Sequence, residues 1–329
     1  MSDQKVVLSG LRPTGRVHLG NYWGAVKNWV DLQDQYSCRY FVADLHALTT
    51  DYADTSSVRQ STLEAVTDWL SVGLDPEKSV IFVQSRVPQH AELALIFGMI
   101  TPLSWLERVP TYKEQLEQLR EKDLGTYGFL GYPVLMTADI ALYLANYVPV
   151  GKDQESHLEI SREIVRRFNG MYGEVFPEPQ VLFTSTPKVP GLDGRKMSKS
   201  YDNTIALSDG AEEVARRVMS MLTDPGRARR SDPGNPDVCN LFPFHQLYSP
   251  VEEVAVVDRE CRSAARGCVD CKKHLIRNMN AALDPVRERR AELTRTPGLV
   301  REVLEHGNEK ARQLASETME KVSDAMRLL

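Results

Sequence analysis

No apolar run in the 329-residue chain approaches the roughly 20 residues of a membrane-spanning helix. The longest, Leu93–Ile100, has eight and includes Gly98. Cysteine is scarce, and five in a chain this long are too few for a disulfide scaffold. Met1–Leu8 lacks a charged-then-apolar signal, and the opening residues are not an Arg- and Ser-rich transit sequence. Nor is there an excess of positive charge. Lys+Arg 40 against Asp+Glu 45 gives −5 and a pI near 5.9, so the total charge does not announce nucleic acid. What is present is ordinary: 42% hydrophobic and 26% charged residues exclude disordered and collagen-like classes. These bounds lead to the expectation of a large soluble protein, cytoplasmic, with roughly two domains by length.

Short β-rich runs alternate with amphipathic stretches up to about residue 200. Val6-Val7-Leu8, Tyr40–Ala43 and Ser79–Val83 read as strands. Tyr22, Val26, Trp29 and Val30 fall on one helical face, and Thr55–Leu70 carries Leu63, Val66 and Leu70 at burial spacing. Strands separated by helices of this length predict a doubly wound, parallel, Rossmann-like α/β domain over 1–200. Beyond Ser200 the texture is helical, with Ala211–Leu222, Val251–Ala265 and Asn308–Met326 as predicted helices. Residues 201–329 are therefore expected to form a second, mostly helical domain.

In an open α/β sheet, ligands sit where strands end and loops enter helices. The first such loop, Leu8–Asn21, has neither GxGxxG nor GxxxxGK[ST]. It offers Arg12-Pro13-Thr14 and then His18-Leu19-Gly20-Asn21, small and polar residues opening a helix, which suits phosphate and ribose oxygens. A purely structural reading, with Gly20 for packing and Asn21 as a cap, stands beside it. Lys196-Met197-Ser198-Lys199-Ser200 is sharper, because two lysines three apart follow Gly191 and Gly194 on one loop. Ammonium groups on such a loop can close on phosphate charge as it develops.

The two segments together resemble the signature sequences of class I aminoacyl-tRNA synthetases. Gly131–Ile140 and Val148–Gln154 narrow the resemblance to the tryptophanyl-tRNA synthetases, and Phe41–Thr49, Leu106–Glu114 and the terminal helix fit it too. The resemblance implies that Asp139 accepts the indole N–H, that Tyr132 and Gln154 hold the α-amino group, that Met136 packs on the ring, and that His46 lines the pocket. Indole offers one donor and no acceptor, so a carboxylate oxygen in an apolar slot can read it. Otherwise Asp139 is a helix residue paired with a nearby Arg or Lys, and His46 a core histidine. The first signature ends in Asn21 where a second histidine is usual, and Lys152 stands where the family has Glu.

The family's chemistry implies that tryptophan carboxylate attacks the α-phosphorus of Mg2+-bound ATP, and that a terminal ribose hydroxyl of tRNA(Trp) then takes the aminoacyl group. Lys196, Lys199, Asn21 and His18 would be catalytic. Arg12, Pro13, Thr14, Gly20, Asn21, Gly151, Lys152, Asp153, Val189, Met197, Ser198 and Ser200, with both lysines, would line ATP. A homodimer is implied as well. The runners-up are a tyrosine-specific enzyme, whose pocket must both donate to and accept from a phenol, and a tryptophan-binding relative that charges no tRNA. In the second half Arg227, Arg229 and Arg230, with Arg216 and Arg217 upstream, make a basic cluster suited to tRNA phosphates.

Four of the five cysteines cluster as Cys239, Cys261, Cys268 and Cys271, spaced C-x21-C-x6-C-x2-C. Such spacing can assemble a four-sulfur metal site, for which zinc is the simpler occupant and His274 a possible substitute ligand. The same spacing resembles the [4Fe-4S] motif of a subset of tryptophanyl-tRNA synthetases, which implies that cluster with a structural role.

Overall fold

The computed structural model describes residues 4–109, 112, 124–150, 155–183, 189–296 and 298–328. Its strands are β1 (Val6–Leu11), β2 (Ser37–Val42), β3 (Ser79–Val83), β4 (Tyr147–Val150) and β5 (Gln180–Phe183). They form one sheet in the order β3-β2-β1-β4-β5, every pair parallel. Parallel neighbours need crossovers, which put helices on both faces. Because β1 lies between β2 and β4, the winding reverses beside it, and the crevice at its carboxyl end is the natural ligand position. The Rossmann-like α/β class expected from the strand and helix alternation is the one observed.

Successive strand residues serve opposite layers. Phe41 and Phe82 join one apolar cluster with Leu93, Phe97 and Phe168. Tyr40 and Ile81 join the other with Trp29 and Trp69. The strand predicted over Ser79–Val83 is observed with those bounds, and all five residues are buried. The predicted helix through Tyr22 and Trp29 is three continuous pieces, Leu19–Asn21, a wider-wound π segment Tyr22–Val26, and Lys27–Leu32. Such π segments recur at functional sites, and this one follows directly on the first signature.

After residue 200 come helices Ala211–Ser220, Phe242–Tyr248, Val251–Arg262, Cys268–Arg295 and Leu299–Met326. Leu275, Met279 and Leu283 bury one stripe of Cys268–Arg295 in the Trp29 cluster. Leu299–Met326 instead puts Ala311, Ala315, Met319 and Val322 into the Phe41 cluster on the sheet's other face. Gly307 lets this helix approach the edge strand β3 so closely that a Cβ there would collide with the Ile81 carbonyl oxygen. One residue on, Asn308 Oδ1 accepts the Val83 N–H at 2.9 Å. An exposed sheet edge is thereby covered, and one of its donors is satisfied. No described helix is long and apolar enough to cross a membrane.

Candidate active site

At the end of β1 the chain turns through Arg12, Pro13, Thr14 and Gly15. Gly15 takes the left-handed conformation (φ +84°), which a side chain would strain. Arg12 is tethered: Nη2 donates to Asp51 at 2.8 Å and to the Ala47 carbonyl at 3.3 Å, and also to Thr50. Its guanidinium rests against the Asp44–Asp51 helix. His18 caps the next helix, with Nδ1 accepting the Asn21 N–H at 3.2 Å. That bond fixes the tautomer in which Nε2 carries the proton and is the donor left for a ligand. Burial, and then the charges of Lys199 and Lys196, push the His18 pKa down to about 4.

The second signature docks on the first. Leu19 N–H donates to Ile205 O at 2.8 Å and Leu207 N–H to Val17 O at 2.9 Å, so residues 17–19 and 205–207 pair as a short antiparallel ladder. Met197, buried beneath the loop, lies against Gly20, whose N–H points at its Sδ at 3.2 Å. Lys199 Nζ donates to the Thr14 carbonyl across 185 positions of sequence. Burial, and then Arg16, lower its pKa. Lys196, Ser200 and Thr14 are exposed, Ser198 and Val189 half-buried. Asn203, which the sequence reading missed, ties the loop together. Its Oδ1 accepts the Ser198 N–H at 2.8 Å, and its amide donates to Asp193 at 2.8 Å and Lys196 O at 3.1 Å. Gly191 is the residue that makes room for it, since a Cβ there would overlap the Asn203 amide.

The third part is the helix Tyr132–Leu142, on which Tyr132, Met136 and Asp139 share a face at spacings of four and three. Asp139 is buried and takes three donors: Gln84 Nε2 at 2.7 Å, His90 Nδ1 at 2.6 Å and His46 Nε2 at 2.7 Å. Its partners are thus two imidazoles and an amide, in place of the nearby Arg or Lys that a purely structural role would use. Burial alone would raise its pKa, but His46 and His90 hold the carboxyl below its usual value. His90 Nε2 meets Tyr143 Oη at 2.9 Å, which closes the network. Gln84 and His90 had a signal of position only, since Gln84 directly follows the carboxyl end of β3. Met136 packs on the Phe41 cluster, and Tyr132 stands beside Phe129 with ring centroids 6.0 Å apart. Gly151, Lys152, Asp153 and Gln154 lie outside the described residues, as do Pro110, Thr111, Lys113 and Glu114.

Away from this crevice, Cys239, Cys261, Cys268 and Cys271 line one small cavity with Thr223, Arg227, Leu241 and Arg266. Burial, and next the Cys239 thiol, push Cys271 up to about 12. Among the described residues no group of three or more His, Cys, Asp or Glu is set so as to hold a single metal ion. His274 is engaged elsewhere, with Glu253 at 2.6 Å and Arg266 at 2.8 Å. The basic cluster is partly spent on internal contacts. Arg227 turns inward to Cys268 Sγ and the Arg230 carbonyl, and Arg216 and Arg217 both bind Glu213. Arg230 stays exposed, with Asp270 at 3.3 Å.

Residues 2–284 match the family model described as tRNA synthetases class I (W and Y). A tryptophan–tRNA ligase of Thermotoga maritima is 52% identical over 325 residues, covering 98% of this chain and 99% of that protein. Its counterpart from Aquifex aeolicus is 44% identical over 392 positions, with 98% and 99% covered. The solved tryptophanyl-tRNA synthetase of Campylobacter jejuni, complexed with ADP and tryptophan, superposes with a TM-score of 0.88 at 36% identity. That match covers 98% of this chain and 100% of the other.

Proposed function

The chain belongs to the class I tRNA synthetases of the tryptophan and tyrosine kind, and from that premise we propose how its residues perform tryptophan–tRNA ligation. It activates tryptophan with ATP and joins it to tRNA. The observation that carries the residue assignments is the meeting of Lys199 with Thr14, because it brings two loops 185 positions apart over one crevice. Arg12-Pro13-Thr14, Gly20 and Asn21 cradle ATP from one side, and Lys196–Ser200 from the other. Gly151, Lys152, Asp153 and Val189 border adenine and ribose. Tryptophan lies on the Tyr132–Leu142 helix, its indole N–H directed to Asp139, its ring against Met136 and His46, its amino group toward Tyr132 and Gln154.

No general base is needed, because the tryptophan carboxylate is already ionised when it attacks the α-phosphorus. Catalysis consists of alignment and of meeting the charge that builds on the departing pyrophosphate. Neutral His18 and Asn21 donate from a helix start, while both lysines follow the leaving group. Tyrosine is the weaker reading: Asp139 Oδ1 takes Gln84 and His90 while Oδ2 takes only His46, which leaves one lone pair for a ligand N–H, and an ionised carboxylate has no proton to give a phenol oxygen.

Residues 1–200 are assigned to ATP and tryptophan, 201–329 to the tRNA anticodon. A homodimer fits the exposed Leu95, Met99, Leu103 and Tyr127, and the chemistry fits a cytoplasmic location. The four thiols are assigned to a [4Fe-4S] cluster. The four thiolates lining one cavity would be the residues that hold it. Gly234 supports the fit, since its missing side chain leaves room for Cys261 Sγ, and two arginines face the site. When bound, the group would supply cross-linking between the segments of the four cysteines, and so would pin the neighbouring stretch that carries Arg229 and Arg230.

The test is tryptophan-dependent exchange of pyrophosphate into ATP, followed by charging of tRNA with tryptophan against tyrosine. Exchange separates an enzyme from a mere tryptophan binder. Lys196→Ala is expected to slow adenylate formation by about 3 kcal/mol of transition-state stabilisation with little change in tryptophan binding. An unchanged rate with only a raised KM would remove the loop from the chemical step.

A further inference from the structure

We propose that Arg290 is a positioning residue for the ATP-binding turn, acting through Asp68 on the backbone of Val17. This rests on reading the His18–Asn21 turn as the ATP site. Asp68 stands on the helix Val58–Ser71 with no exposed surface. Its Oδ2 accepts the Val17 N–H at 2.7 Å, one residue before His18. Its Oδ1 accepts Arg290 Nε at 2.6 Å, from the far end of the Cys268–Arg295 helix. The other arm of the guanidinium reaches Glu64, one turn before Asp68. Val17 is gripped from its other side too, where its carbonyl accepts the Leu207 N–H. The peptide that enters the first signature is thus fixed between a buried carboxylate and the segment after the lysine loop.

A carboxylate buried this deeply keeps its charge only with compensation. Burial pushes the Asp68 carboxyl up, and the Val17 N–H and Arg290 oppose that push. Removing one partner of a buried pair leaves an uncompensated charge, which is far costlier than replacing both partners. Without Arg290, Asp68 has two ways to relax: take up a proton or swing toward water. Either weakens its hold on Val17. Lys199 senses the same charges, for Asp68 and Glu64 both raise its pKa against the lowering by burial and Arg16. The effect should fall on ATP and spare tryptophan, which is assigned to the Asp139 network around Gln84, His90 and Tyr143.

The test compares Arg290→Gln, Arg290→Lys, Asp68→Asn and the double variant Asp68→Asn/Arg290→Gln. Pyrophosphate exchange gives KM for both substrates, and calorimetry gives the affinity for ATP directly. Arg290→Gln is expected to weaken ATP about tenfold while KM for tryptophan stays within about twofold. Arg290→Lys should recover part of the loss, and the double variant should lose less than the sum of the singles. Equal weakening of both substrates, or native ATP affinity in a folded Arg290→Gln protein, overturns the proposal. Should the native chain catalyse no exchange, the assigned function falls, and the calorimetric comparison still decides the role of Arg290.

Discussion

Asp139 carries the heaviest assignment of any single residue, because one carboxylate organises three donors and is also proposed to accept the indole N–H. Asp139→Ala removes the acceptor from a buried N–H, a loss of roughly 1–3 kcal/mol. Tryptophan should therefore lose ground against an analogue with sulfur in place of the indole N–H, measured by competition in the exchange assay. If both ligands weaken equally, the carboxylate serves only to hold His46 and His90. His18 makes a prediction of a different kind. Its native pKa of about 4 lies below the usual histidine value of 6.5, so the unfolded chain binds the extra proton first as pH falls. The sign follows: stability is full above about 6.5 and declines progressively toward 4. ATP affinity should likewise show no His18 titration between pH 6 and 8, to be followed by the imidazole NMR signals. An inflection near 6.5 that vanishes in His18→Asn would contradict the buried, neutral imidazole.

At the scale of elements, the strands that could be read from sequence were those with unbroken β-branched or aromatic residues. Ser79–Val83 is such a run, and Tyr40–Val42 marks the end of β2. β4 was hidden because Pro149 sits inside its four residues, and β5 because it is equally short. The helix Cys268–Arg295 is not legible in the sequence, since it carries Pro285 and is charged around most of its girth. In the candidate site, the loops were legible from residue type and the pocket helix from resemblance. Gln84, His90, Asn203 and Asp68 were not, because their significance lies in partners 55, 49, 10 and 51 positions away. The closing helix was anticipated from Asn308, but it begins at Leu299, and the contact that seats it belongs to Gly307. Gly307→Ala forces a methyl against backbone that cannot rotate aside, so a destabilisation of about 1–3 kcal/mol is expected in thermal unfolding. A melting temperature equal to the native one would mean that this helix rides loosely on β3.

The whole molecule is organised along the Cys268–Arg295 helix, which starts at the thiols and ends beside the Val17–His18 turn proposed to hold ATP. Cys271 and Arg290 are nineteen positions apart, about 28 Å of helix at 1.5 Å per residue. That separation decides what the four-cysteine site can influence. It is too far to touch the reacting phosphate, and adenylate formation needs no electron transfer. Its reach is local: Arg227 points at Cys268, and Arg229 and Arg230 continue the same segment toward solvent. In a chain of net charge −5, such a local basic surface supplies the attraction for a polyanion that the total charge does not. Protein purified without oxygen should accordingly be brown, with about four irons per chain and broad visible absorption, if the cubane assignment is right. Cys271→Ser should bleach it, leave tryptophan-dependent pyrophosphate exchange within about threefold of native, and depress charging of tRNA at least tenfold. One zinc per colourless chain would replace the cluster with the simpler metal, and metal-free protein with native charging would retire both. Equal loss of exchange and charging in Cys271→Ser would show that the thiols hold up the catalytic half as well, against the separation that the long helix imposes.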